Sequence, residues 1–283
     1  MIVAEFAAMG TTVSVTAPDD DGASATRRWF ARVERACSRF LADSALTRLN
    51  VDPRPVVPVP AELADVLSVA SRLRDATGGL VDAGVGADVV RWGYDRSFEA
   101  VTDRLAPAIG DAGARPWHLR NGYLVRPPGL RLDLGGIAKG WAADQAVTRG
   151  WASIVSAGGD IASAHEACVV DVNGPGGDVV ATIPLGVGAL ATSSVSRRTW
   201  RVAGEPVHHI IDPRTGAPAQ TPVASATVLA RSAAVAEAGA KAVLLGGAGG
   251  LAWAASQPWI GGALVVWHNG AVYATSGLEV AAA

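Results

Sequence analysis

Apolar and polar residues alternate along Ile2–Phe6 and Thr12–Thr16, a period of two that predicts two short strands joined by a turn at Met9-Gly10-Thr11. Beyond them the period changes. Trp29, Val33, Ala36, Cys37 and Phe40 recur at three- and four-residue intervals, which predicts a helix over Ala23–Leu41 with one buried stripe. A second helix is expected over Ala61–Ala76 with Leu63, Leu67, Ala70 and Leu73 inward. Thr77-Gly78-Gly79 closes it, because glycine readily takes the left-handed conformation that ends many helices. Between the two helices Val51–Pro60 holds three prolines in its first eight residues and reads as an extended connector. Val101–Pro128 shows little period and is expected to hold one helix and a hairpin. Farther on, β-branched stretches at Ile154–Ser156, Cys168–Val172, Ala224–Leu229, Leu264–Trp267 and Ala271–Ala274 alternate with Ala-rich helical stretches at Lys139–Thr148 and Ala233–Leu245. That mixture predicts an α/β or α+β sandwich without internal repeats or a visible domain boundary.

Composition narrows the classes of partner. At 49% hydrophobic and 18% charged residues, the chain has enough apolar surface to offset the conformational entropy lost on folding, which excludes wholesale disorder. Its 24 basic and 26 acidic side chains give a formal net charge of −2. With no basic run to neutralise phosphates, nucleic acid is not an expected partner. No run of about 18 charge-free apolar residues occurs outside Gly-rich loops, so no membrane span is expected. The opening Met-Ile-Val-Ala-Glu-Phe lacks a basic segment followed by a long apolar run, from which a cytoplasmic location is expected. Cys37 and Cys168 have neither CxxC nor zinc spacing, and read as core thiols or as a redox-sensitive pair.

Several segments combine residue types that chemistry needs. Leu132 to Asp144 reads as strand, glycine pair and helix, a junction whose free amides and helix dipole favour an anion such as phosphate beside Lys139. It is neither a Walker loop nor a G-x-G-x-x-G fingerprint, and a plain tight turn accounts for it equally well. Asp133 would repel a phosphate unless a cation intervened, and a divalent metal would meet that need. In Ser156–Ile161 the pair Gly158-Gly159 lets backbone approach a ligand closely. His208-His209-Ile210-Ile211-Asp212-Pro213-Arg214-Thr215-Gly216 sets imidazoles beside a carboxylate, the minimum for general-base work, with a buried structural histidine as the alternative. Thr192 and Ser193 offer hydroxyls to phosphate or ribose, or else cap a strand end.

As a set, these pieces resemble a family. Met9-Gly10-Thr11, Ser38-Arg39-Phe40 with Asp43-Ser44 and Leu49-Asn50, Thr77-Gly78-Gly79-Leu80-Val81-Asp82, Trp92-Gly93-Tyr94, Asp133 through Gly140, Gly158-Gly159-Asp160, Thr192-Ser193 and His209 through Gly216 stand in the order seen in ApbE-like FAD:protein FMN transferases. The resemblance covers nearly the whole chain. It implies a T-fold-like ApbE architecture, a mixed sheet with packed helices, formed as a single flavin-transferase domain over 1–283. It implies an enzyme that binds FAD, splits its pyrophosphate with magnesium help and attaches FMN through a phosphoester to a threonine of an acceptor flavoprotein, with AMP released. Carried over by position, Met9, Phe40, Leu80, Val81, Asp82, Asp133, Lys139 and Ile210 would line the FAD site, joined by Gly158, Gly159, Thr192 and Ser193. His209 would take the proton of the acceptor threonine, with Asp212 shaping its turn, and Gly136 would offer a backbone carbonyl to the metal. Phe40 stands where the family often has Tyr, which keeps a stacking face and loses a hydroxyl.

The pattern breaks at Ala236–Ala242. There the family reads Ala-Asp-Ala-x-x-Thr-Ala with Asp and Thr as metal ligands, and Glu237 and Lys241 stand in their places. One reading is an exposed pair four residues apart on a helix, worth about 0.2–0.5 kcal/mol. The other puts the Lys241 ammonium in part of the cation's place, which leaves magnesium dependence open. A rival function follows, a flavin-binding or flavin-delivery protein, or an FAD pyrophosphatase, that has lost transfer through the altered metal position. An interaction module using the nine tryptophans is a weaker reading, since tryptophan is more often core.

Overall fold

The structure is a computed structural model that describes residues 1–108, 116–165 and 168–282. Its helices are α1 (Asp20–Cys37), α2 (Ala45–Val51), α3 (Ala61–Ala76), α4 (Gly86–Arg91), α5 (Ala138–Thr148), α6 (Ala233–Gly246) and α7 (Gly250–Ala255). Among the described residues no helix is long and apolar enough to cross a membrane. Two compact units are formed: Met1–Ala31, Lys139–Ser196 and Gln220–Ala283 make the first, Arg32–Ala138 and Arg197–Ala219 the second.

The first unit is built on a sheet of β1 (Ile2–Ala8), β2 (Thr11–Ala17), β3 (Ile154–Ala157), β4 (Asp160–Ser163), β5 (Gly188–Ser194), β6 (Val223–Ala230), β7 (Ile260–Trp267) and β8 (Val272–Ala274), paired in that order. Every pairing is antiparallel, so the class is α+β and the sheet is not mixed, as the resemblance had implied. Short turns join β1 to β2, β3 to β4 and β7 to β8, where antiparallel pairing is the natural outcome, since a parallel pair needs a long crossover; the other neighbours pair antiparallel across longer connections. The strand period of two then sorts side chains by face. Leu190, Leu264 and Val266 join Val172, Ala181, Ile183 and Leu185 in one apolar layer, the last four coming from a second sheet that includes Cys168–Asn173 and Val179–Leu185. On the other face lies α6, whose Gly239 approaches Val228 so closely that an added Cβ would stand 3.0 Å from it.

Helix α6 carries Ala, Gly, Val and Leu at nearly every position and is buried almost all round, Glu237 included. Its N-terminus is satisfied twice. Ser232 accepts from the Val235 amide, and the Asp144 carboxylate of α5 accepts from Ala233 and Ala234. Burial pushes Asp144 up to about 6 against those bonds. Gly140 lets α5 meet this end of α6, because a Cβ there would lie 2.7 Å from the Ala234 nitrogen and 2.8 Å from the Ala233 carbonyl carbon.

In the second unit α3 has the expected bounds, with Gly78 and Gly79 left-handed behind it. Helix α1 stops at Cys37, short of the expected Leu41, because the Ser38 hydroxyl takes the Phe40 and Leu41 amides that helical carbonyls would otherwise bind. Ser44 then caps α2, a helix the expected connector did not include. Val56–Pro58 is a short strand paired with Tyr123–Val125, which also forms the expected hairpin with His118–Arg120. The helix expected within Val101–Pro128 has no counterpart among the described residues there, and 109–115 lie outside them. Cys37 is buried, which pushes its thiol up to about 12, whereas Cys168 is half-buried, and neither forms a disulfide. Trp117 and Trp200 alone among the nine tryptophans are buried, the other seven being half-buried.

Replacing Gly140 by Ala forces backbone apart rather than a flexible side chain, so Gly140→Ala is expected to cost about 1–3 kcal/mol of unfolding free energy in urea titrations. A change within about 0.5 kcal/mol would contradict the close packing.

Candidate functional site

In the first unit, strand register brings the candidate residues to one edge of the α6 face. Asp160 stands opposite Ala191, Ser193 lies two residues beyond, and Ser193 stands opposite Ala226, so Asp160 and Ser193 share that face. The Gly158-Gly159 turn joins β3 to β4 with both glycines left-handed. A Cβ on Gly158 would lie 3.0 Å from the Thr11 hydroxyl and 3.3 Å from Lys139 Cε, so the bare turn is what admits the lysine. The Thr192 amide donates to the Gly159 carbonyl at 3.1 Å. Met9, in the β1–β2 turn, has φ 54° ahead of Gly10, a strained choice where Asn or Gly is usual.

Lys139, Asp160 and Glu237 are buried within this unit, and Lys241 is half-buried beside them. Lys139 Nζ lies 3.4 Å from Asp160 Oδ2, their side chains 9% and 2% exposed. Lys241 Nζ bonds Glu237 Oε1, and the Ser193 hydroxyl donates to Glu237 Oε2 at 3.2 Å. At 18% and 7% exposure these are not the surface pair that helical spacing alone allowed. Burial first, and next the charge of adjacent Glu237, push Asp160 up to about 7, against the pull of Lys139 and Lys241. The Thr192 hydroxyl is engaged with that of Thr227 at 2.9 Å.

In the second unit Asp133 accepts from Arg39 Nε at 2.5 Å and from the Gly135 amide at 2.6 Å. The Arg39 guanidinium lies 4.1 Å from the Phe40 ring centre and 4.5 Å from that of Tyr94. The cation that Asp133 needed is therefore an arginine gripped by two rings. Ile137 and Ala138 donate their amides to the Leu134 carbonyl, so few amides at this turn remain for an anion. Asp82 accepts from Trp117 Nε1 and the Gly84 amide, both at 2.7 Å, a fixed structural role. Val81 is buried with its amide on the Thr77 hydroxyl, and Leu80 is half-buried.

The two adjacent histidines differ. His208 spends both ring nitrogens on backbone, Nδ1 accepting from the Ile210 amide at 3.3 Å and Nε2 meeting the Ala219 carbonyl at 3.0 Å. The His209 ring stands edge-on to Tyr94 at 6.5 Å, beside buried Ile210. Asp212 is held by Arg214: burial acts to raise it, but the Arg214 side chain and amide keep it below the usual carboxylate range. Its turn closes through the Gly216 amide on the Asp212 carbonyl at 2.8 Å.

The model of the ApbE family matches residues 9–262. The chain belongs to the ApbE family. Among its ApbE relatives, the FAD:protein FMN transferase of Treponema pallidum is 33% identical over 66% of this chain and 61% of its own length. That of Klebsiella pneumoniae is 30% identical over 80% and 73%. The solved ApbE protein of Thermotoga maritima superposes with a TM-score of 0.84 at 26% identity, and the flavin transferase ApbE of Vibrio cholerae with 0.80 at 25%, each over 97% of both chains.

A magnesium site of the ApbE pattern does not fit the donors at hand. Both Glu237 oxygens are engaged by Lys241 and Ser193, and an ammonium offers no lone pair to a metal. Among the described residues no group of three or more His, Cys, Asp or Glu is placed to hold a metal ion. Sequence reasoning missed Asp160, Arg39 and Tyr94 as site residues although it quoted all three in motifs. The signal was charge balance, since a lysine on an apolar helix and an aspartate behind a glycine turn both need buried partners.

Lys139→Met strands Asp160, and removing one member of a buried pair is expected to cost about 3–5 kcal/mol in urea unfolding, most of it recovered in Lys139→Met/Asp160→Asn. A single variant as stable as the parent would contradict the pairing.

Proposed function

We propose that this chain is an FAD:protein FMN transferase, moving FMN from FAD to a threonine hydroxyl of an acceptor flavoprotein. The observation that carries this reading is Lys139, a buried cation against a turn of two glycines, where charge and bare backbone suit a diphosphate. The names of the ApbE relatives support it. Residues 1–283 act in this reading as one flavin-transferase domain, and the remaining residues assigned to FAD by position keep that assignment as part of it.

The reaction balances without a redox step. The threonine oxygen attacks the FMN-side phosphorus, the bond from that phosphorus to the bridging oxygen breaks, and AMP departs carrying the bridging oxygen. His209 takes the hydroxyl proton and returns it to solvent or product. His208 is unsuited to that task, because its two ring nitrogens are engaged by the backbone. Lys139 offsets charge on the departing phosphate, and the Arg214-bound Asp212 turn fixes the backbone that carries His209. No step is assigned to magnesium, whose ligands the chain does not supply.

Incubation of the chain with FAD and a threonine-bearing acceptor should add the mass of FMN to the acceptor and release AMP in equal amount. His209→Ala should slow transfer by about 10²–10⁴-fold with FAD still bound. AMP release without acceptor labelling would favour the pyrophosphatase reading, and bound FAD with no turnover the flavin-delivery reading.

A further inference from the structure

The buried cluster of Asp160, Glu237, Lys139 and Lys241 has a composition that argues against a metal and for a purpose. Two adjacent carboxylates on a helix and a strand form the kind of acidic pair that captures a divalent cation from water. In this chain each faces an ammonium instead. Two positive groups against two carboxylates leave no net negative charge for an incoming ion to neutralise. The array also costs desolvation of four charged groups, a poor way to gain stability.

We propose that the Lys241 ammonium, together with that of Lys139, takes the place of a divalent cation in this chain, so that a phosphate anhydride is neutralised by side chains alone. An ammonium has three N–H donors, and Lys241 directs one at Glu237. The carboxylate thereby aims the lysine, and Ser193 in turn aims the carboxylate. Lys139 is aimed in the same way by Asp160 across the glycine turn. What an ammonium lacks is the fixed octahedral bridging of magnesium, and two separately aimed lysines compensate for it with two point charges. The inference rests on the flavin-transfer reading for the identity of the anhydride, but not for the identity of the cation.

The test adds Mn²⁺ to the purified 283-residue chain with FAD and follows the EPR signal of free Mn²⁺ against an FAD-only control, with FAD turnover measured in parallel in EDTA and in Mg²⁺. The proposal expects no protein-dependent loss of the Mn²⁺ signal and turnover that differs by less than about twofold between EDTA and Mg²⁺. One equivalent of bound Mn²⁺, or a loss in EDTA beyond about tenfold that Mg²⁺ restores, overturns it. Lys241→Met uncovers Glu237 and leaves the two carboxylates one positive charge short, so it should gain Mn²⁺ binding, and a folded Lys241→Met that still ignores Mn²⁺ also counts against the proposal. Lys241→Arg keeps the charge, should fold, and should bind no Mn²⁺. If FAD is turned over under neither condition the transfer reading fails by itself, while the Mn²⁺ signal still decides the cation.

Discussion

A helix covered on nearly every side leaves no room for an unpaired charge, and α6 carries two charged side chains. Glu237 is buried with the helix, so its carboxylate must be met by donors at the spot. Lys241, one turn on, and Ser193, from the strand beneath, meet it. The rest of the first unit follows from that demand. Asp160 lies against Glu237 and draws in Lys139, and Lys139 in turn requires a turn without Cβ atoms at Gly158. The helices α5 and α6 must then sit close enough for Asp144 to cap α6, which Gly140 allows.

The second unit solves a similar problem with different groups. Asp133 is paired with an arginine rather than a lysine, and the flat guanidinium rests against Phe40 and Tyr94, a stacking that an ammonium could not make as well. Tyr94 also meets Trp200 and His209, so one aromatic residue links the Arg39–Asp133 pair to the segment that carries His209. Phe40 packs against Tyr94 with ring centres 5.4 Å apart and planes tilted by 48°, a contact that needs no hydroxyl.

Much of the fold was legible because its periods are clean. The Ile2–Phe6 and Thr12–Thr16 alternation gives β1 and β2 to within two residues at each end, and the Leu63, Leu67, Ala70, Leu73 stripe gives α3 with its ends. What was not legible turns on side chains that override the local period. Ser38 ends α1 early and Ser44 starts α2, both through hydroxyl bonds to nearby amides that composition does not reveal. The antiparallel sheet was hidden because strands that pair, such as β2 and β3, are separated by more than a hundred residues. At the site, the order of motifs disclosed the family, yet spacing could not tell a surface Glu–Lys pair from a buried one. Burial of Ala-rich α6 decided that, and burial is a property of the whole sheet and not of seven residues.

What occupies the space beside Glu237 when substrate is present decides whether side chains alone neutralise the diphosphate. Crystals of the chain grown with FAD and Mn²⁺, with an anomalous difference map recorded at the manganese edge, address this directly. Diphosphate oxygens are expected within hydrogen-bond reach of Lys139 and Lys241 Nζ, with no anomalous peak at Glu237. A manganese peak on the Glu237 carboxylate, with Lys241 turned away from it, would contradict the account.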